Sequence, residues 1–179
     1  MTYSTLSRLA LGAGLALTLT TAAFAADNEF TAPLTDFAKG QLRQIAEDPA
    51  LVAAINAQNA TTAAYDQAKI DALDTQWKAE VDASDKPLIN ATLGTPASKA
   101  LAAAMEKSAG LITEIFATDA KGLNVAQATM TSDYWQGDED KFTASFGAGA
   151  AAVHLGEIEQ DVLARMAALM PGSAAIPPG

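Results

Sequence analysis

LITEIFATDAKGLNVAQATM, residues 111–130, decides the fold class, because here the helical spacing of the preceding residues gives way to another pattern. Ile112, Ile115, Phe116 and Val125 are β-branched or aromatic, and they flank DAKG, residues 119–122, which has the Asp-first, Gly-last order of a tight turn. The pattern predicts a β-hairpin with strands near residues 111–118 and 123–129. Downstream, GAAAVHLGEIE sets Val153 and Leu155 in alternation with His154 and predicts another strand.

Upstream, the chain reads as helix. Phe30, Leu34, Phe37, Leu42 and Ile45 recur at spacings of three to five and form one apolar stripe. Asp48 before Pro49 predicts a new helical segment or a kink, since Asp caps orphan amides and Pro loses nothing at the first helical position. Ile70, Leu73, Trp77 and Val81 mark an amphipathic helix with Asp71, Asp74, Lys78 and Asp82 off the stripe, so Trp77 is read as core. Thr95 and Pro96 repeat the cap-then-proline signal, and Gly110 suits the left-handed residue beyond a helix end. At the other end, EIEQDVLARMAALM has helical spacing and is stopped by Pro171 and Gly172. Helices first and strands after predict an α+β fold.

The first 25 residues are expected to be an export signal. Arg8 precedes the apolar run LALGAGLALTLTTAAFA, and Ala23 and Ala25 are the small residues a signal peptidase needs, so cleavage is expected after Ala25 into the periplasm. Gly12, Gly14 and the threonines dilute the run, which is short for a membrane span of roughly 20 residues. The remaining residues, 26–179, have the size of one ordinary domain.

The whole chain carries a net charge of −10, and loss of Arg8 would deepen it. An acidic chain without a Lys/Arg stripe repels phosphate backbones and anionic lipid, which argues against nucleic acid as a partner. There are no cysteines, which removes disulfides, thiolate metal sites, cysteine catalysis and a lipid-modified anchor.

The run ITEIFATDAKGLNVAQATMTSDYWQGDEDKF, residues 112–142, resembles the extracytoplasmic Cache sensor domains of the PDC branch. INAQN and IDALDTQW look like the same family's helical lead, and the resemblance spans residues 30–159. It implies a long N-terminal helix along a PAS-like antiparallel sheet of five or six strands, with a small-molecule pocket on one sheet face. Such pockets commonly hold amino acids, amines or small carboxylates, and the wall implied here is residues 131–146. The expected organisation is a signal over 1–25, a Cache-like domain over 26–160 that is helical to 110 and mainly strand beyond, and a divergent helix and tail over 161–179. The resemblance further implies a stand-alone periplasmic sensor, with a membrane receptor or kinase as partner and a parallel homodimer along the long helices.

The chain departs from the family after residue 160. Where members continue with two more strands, one of them central, this chain has DVLARMAALMPGSAAIPPG. Loss of a central strand would strip the hairpin of a neighbour and expose backbone groups that must be paired, leaving the sheet incomplete at its C-terminal end. The terminal helix is then expected to cover part of that edge.

Within TSDYWQGDED, residues 131–140, Tyr134 and Trp135 offer flat faces for a cationic or apolar ligand, and Asp133 and Asp138 could neutralise an amine. A carboxylate ligand would instead need Lys141 or backbone amides. Asp133, Tyr134, Trp135, Asp138 and Lys141 are therefore the candidate ligand-binding residues. The competing reading is structural: Asp138 would be the N-cap of a helix with Glu139 and Asp140 in its first turn, and the two aromatics suit core packing equally well.

No catalytic or metal reading survives comparison with its pattern. A calcium loop starting at Asp133 would place Trp135 and Gly137 where oxygen ligands belong. His154 is the single histidine and cannot make a usual zinc site without Cys or a second His. There is no nucleophile-elbow sequence around Ser145, no glycine-rich phosphate loop, and acids are too abundant for any pair to signify a glycosidase. The expectation is an exported sensor domain that binds a small molecule without transforming it and needs no cofactor. The rival is a non-sensing periplasmic structural or interaction protein with a degenerate pocket.

Overall fold

The computed structural model describes residues 30–156. The expected export signal and the helix and tail beyond residue 156 lie outside these residues. The chain begins with α1 (Thr31–Phe37) and α2 (Arg43–Ala46), which are continuous through a π-helical turn at Ala38–Leu42. That turn accounts for the one spacing of five in the apolar stripe. A π turn takes up one extra residue, so Leu42 lands on the same half-buried face as Leu34, Phe37 and Ile45.

The next two helix starts follow local side-chain chemistry. Asp48 Oδ1 accepts from the Ala50 and Leu51 amides at 2.9 and 3.2 Å and opens α3 (Pro49–Thr62). Asp66 accepts from the Lys69 amide at 2.9 Å and opens α4 (Gln67–Val81). Helix α5 (Pro87–Leu93) has no cap of its own, and Glu80, buried on α4, accepts from the Leu88 and Ile89 amides at 2.8 and 3.0 Å. Burial alone would raise the Glu80 carboxyl, but the Ile89 amide, the Gln76 side chain and the Leu88 amide outweigh it and hold it below the usual range. Thr95 opens α6 (Pro96–Lys107) through the Ser98 amide, and the chain leaves α6 through Ala109 and Gly110, both at positive φ.

The hairpin forms, shorter than expected. Strand β1 (Phe116–Thr118) pairs antiparallel with β2 (Asn124–Gln127), with Ala117 opposite Ala126 and an irregularity between Ala117 and Thr118. Residues 111–115 are not strand, because the Ser108 hydroxyl accepts the Ile112 amide at 2.9 Å and turns the chain at the end of α6. On its other edge β2 meets the segment after it: a single bridge joins Leu123 to Trp135, Asn124 N donates to Tyr134 O at 2.9 Å, and Gln136 N donates to Gly122 O at 2.8 Å. Residues 153–156 are also not strand, and Val153 is exposed. Among the described residues no backbone hydrogen bond joins them to another segment, and alternation without a partner does not make a sheet.

The architecture is α+β, a largely helical domain around a small two-stranded antiparallel sheet. Every residue of β2 is buried, with α3, α5 and α6 packed on it. One core cluster gathers Ile70, Trp77, Ile89, Leu123 and Tyr134, and a second gathers Leu51, Ala97, Leu101 and Ala126. Trp77 is wholly buried, as its place in the α4 stripe predicts. Short helices Asp140–Thr143 (α7) and a 3₁₀ turn at Phe146–Ala148 close the described fold.

Candidate functional site

Asp119, first residue of the hairpin turn, is buried and accepts from four donors. Its Oδ1 takes the Lys121 and Leu123 amides at 2.8 and 3.0 Å, while its Oδ2 takes Thr62 Oγ1 at 2.8 Å and Gln58 Nε2 at 3.1 Å. Beside it, Asn59 Oδ1 accepts the Ala120 amide at 2.8 Å. The polar end of INAQN is thus the grip by which α3 holds the hairpin. Turn chemistry accounted for Asp119 as the first residue of the turn; its role as a buried anchor depends on residues about sixty positions away and had no local signal.

The segment after β2 is held from below by α4. Asp74 Oδ1 accepts the Tyr134 and Trp135 amides at 2.9 and 3.1 Å, and its other oxygen pairs with Lys78 at 2.7 Å. Lys78 also pairs with Asp133 at 2.9 Å. The ammonium is raised well above its ordinary pKa by hydrogen bonds to Asp74 and Asp133. Asp133 is lowered, first by the Ser132 hydroxyl and then, against partial burial, by Lys78. An Asp and a Lys four apart on the polar side of α4 read in the sequence as a solvated face, whereas they position this segment.

Tyr134 and Trp135 turn inward. The Tyr134 ring stacks on Trp77 with centroids 5.2 Å apart, and burial, with Asp119 and Tyr65 adding to it, pushes its hydroxyl up to about 12. Trp77 Nε1 donates to Thr131 O at 2.9 Å, and Trp135 Nε1 donates to Lys121 O at 2.8 Å. Both aromatics are thereby part of the packing between α4 and the hairpin. Asp138 is exposed, and it is not the N-cap expected: α7 begins one residue later, with Glu139 in the cap position and no side-chain capping bond. Lys141 is exposed, pairs with Glu139 at 2.8 Å and lies 5.2 Å from the centroid of the Phe116 ring.

Of the five candidate residues, Lys141 lines a cleft among the described residues. This cleft, of about 280 Å³, lies between β1 and α7 and is lined by Phe116, Thr118, Gln136, Lys141, Phe142, Ser145 and Phe146. Its size is near the lower bound of small-molecule sites, roughly 300 Å³. The Phe142 and Phe146 rings stack with centroids 5.1 Å apart, and Phe146 remains 58% exposed. Gln136 is 2% exposed; its Nε2 donates to Asp133 O at 3.0 Å, and its Oε1 has no partner among the described residues. A neighbouring buried network of Asn124, Gln127 and Thr131 surrounds the same Asp133 carbonyl. Gln136, Phe142 and Phe146 were missed as site residues, and the period of the aromatics beyond residue 140 was the available signal.

A second, larger cleft of about 390 Å³ runs between α2 and α6 past Ile45, Leu51, Leu101 and Lys107. Among the described residues no group of three or more His, Cys, Asp or Glu could hold a metal ion, and no helix is long and apolar enough to cross a membrane. Compared with protein-family models, curated proteins and solved structures, the chain matches none.

Proposed function

We propose that this chain is an exported sensor domain of the Cache (PDC) kind that binds a small molecule without transforming it. The observation that carries the reading is the cleft beside β1, because its walls come from Gln136, Lys141 and Phe142, within the segment that the family resemblance assigns to the pocket. On this reading β1, β2 and the strand-like segment 134–136 are the core of a PAS-like sheet, with α1 to α4 as its helical lead. Asp133, Tyr134 and Trp135 then set the shape of the segment, while Lys141 and Gln136 face the ligand, which is an amino acid, amine or small carboxylate. Signalling would proceed by presenting the bound state to a membrane receptor or kinase.

A thermal-shift screen of the purified chain against amino acids, amines and short carboxylates tests this. A ligand at 100 times its dissociation constant adds about 2.7 kcal/mol of stability, which a melting curve resolves. A cooperative melt that no compound shifts would favour the non-sensing interaction protein instead.

A further inference from the structure

We infer that the outer edge of β1 takes the strand-like segment beginning at Val153 from a second copy of this chain, each copy giving its segment to the other's sheet. The phase of the hairpin opens that edge. Gln127 N turns away from β1 to donate to Ser98 Oγ at 3.0 Å, and Asn124 N turns away to donate to Tyr134 O at 2.9 Å. Their partners across the pair, Phe116 and Thr118, therefore point their own N–H and C=O groups out of the free side of the sheet. Among the described residues no other segment bonds to those groups. Pairing with β2 continues past the strand at both ends, where Ile115 O accepts from Ala128 N and Asp119 N donates to Leu123 O, so the edge runs over residues 115–119. The extra residue at the irregularity, Val125, sits on β2 and leaves β1 regular. Phe116, Ala117 and Thr118 include no Pro and no charge, the devices that usually keep an edge from pairing.

The segment that fits this edge is in the same sequence. Residues 153–156 alternate Val153 and Leu155 with His154, yet they are not strand, they bond to no other described segment, and Val153 is 42% exposed. They follow soon after Phe146, which lines the cleft beside β1, but the turn closed by Ala152 N and Gly149 O leads them off and leaves their own edge open. Each molecule thus holds one unpaired edge and one unpaired strand-forming segment. Charge agrees with the match: the segment runs on in the sequence to Glu157 and Glu159, and Lys141 stands 5.2 Å from the centroid of the Phe116 ring. Because each copy both gives and receives, the contact closes as a two-fold dimer and does not propagate. Strand addition at this edge does not depend on the cleft holding a ligand.

Sedimentation and amide hydrogen exchange of the purified chain over a dilution series test this. A monomer–dimer equilibrium is expected. In the dimer the Phe116 and Thr118 amides should become slow to exchange, while Ala117, already bonded to β2, is slow in both states. Val153→Pro and His154→Pro probe the giving strand. Adjacent amides in a strand point to opposite sides, so one of the two faces the edge, and its replacement should raise the dissociation constant of the dimer about tenfold or more. Both lie in a segment that bonds to no other, so the melting temperature of the dilute protein should stay in place. A chain that is monomeric at every concentration overturns the exchange. So does a dimer in which Phe116 and Thr118 exchange as fast as in the monomer, or one that neither proline weakens, since such a dimer is built elsewhere. Protection of both amides in a chain that stays monomeric assigns the edge to the chain's own segment and overturns the second copy. None of these results touches the ligand reading, which the thermal-shift screen decides.

Discussion

At the scale of single residues, Asp119 shows how a turn residue becomes an anchor. Four donors converge on its carboxylate, from its own turn and from α3. Asp119→Ala leaves those donors unpaired in a buried place and is expected to lower stability by about 2–5 kcal/mol, measured by urea unfolding. Gly122 is constrained differently. It has φ +82°, and a Cβ there would lie 2.6 Å from the backbone of Gly137. Gly122→Ala combines left-handed strain with backbone overlap, so a loss of about 1–3 kcal/mol or more is expected. The same unfolding measurement checks it, and a change within about 0.5 kcal/mol, the usual range at unconstrained surface sites, would deny the close approach.

At the scale of elements, α4 works on both faces. Its apolar stripe builds the core through Ile70 and Trp77, while Asp74 holds two backbone amides of the segment that walls the cleft. Asp74→Ala should cost about 1–3 kcal/mol by leaving those amides unpaired, whereas Lys78→Ala, which removes a half-exposed ammonium and keeps both amide bonds to Asp74, should cost less. Equal losses in denaturant melts of the two variants would contradict this division. The helices were legible because their signals are local: Asp48 before Pro49, Thr95 before Pro96, and the 70-73-77-81 stripe each act within a few residues. The hairpin was legible through DAKG, but its length was not, since the turn that Ser108 makes at the end of α6 limits its first strand. Capping of α5 by Glu80, the inward turn of Tyr134 and Trp135, and the non-strand course of residues 153–156 are non-local facts that periodicity does not carry. For the cleft beside β1, Lys141 was legible as a candidate from its charge; Gln136 was not, because its burial arises only in the folded packing.

At the scale of the whole molecule, stability should fall at both ends of the pH range. The Asp133 and Glu80 carboxyls are held below their ordinary values, so their contribution is full above the usual carboxylate range and is lost as pH falls through the lowered values, below about pH 4. Tyr134, pushed up to about 12, and Lys78, also raised, act in the other direction. Their contribution is full below about pH 10, the ordinary tyrosine value, and is lost as pH rises beyond it. Melting temperatures across the range from acid to strong alkali should therefore trace a plateau with two falling shoulders, and Tyr134→Phe should flatten the alkaline one. An alkaline shoulder identical in both proteins would assign it to other groups.

The π turn at Ala38–Leu42 has a consequence for how this chain tolerates change in length. It has the form of a healed insertion, one surplus residue absorbed in a helix without rotating the residues beyond it. Gly40, where an added Cβ would meet nothing within 4 Å, is the residue to remove. Its deletion would shorten the spacing from Phe37 to Leu42 to a regular helical interval and leave the stripe in phase. It would also remove a glycine that costs a helix roughly 1 kcal/mol relative to alanine. The shortened chain should melt no lower than the parent, while deleting Asn56, inside the regular α3, would rotate Gln58 and Asn59 away from the hairpin and unfold it.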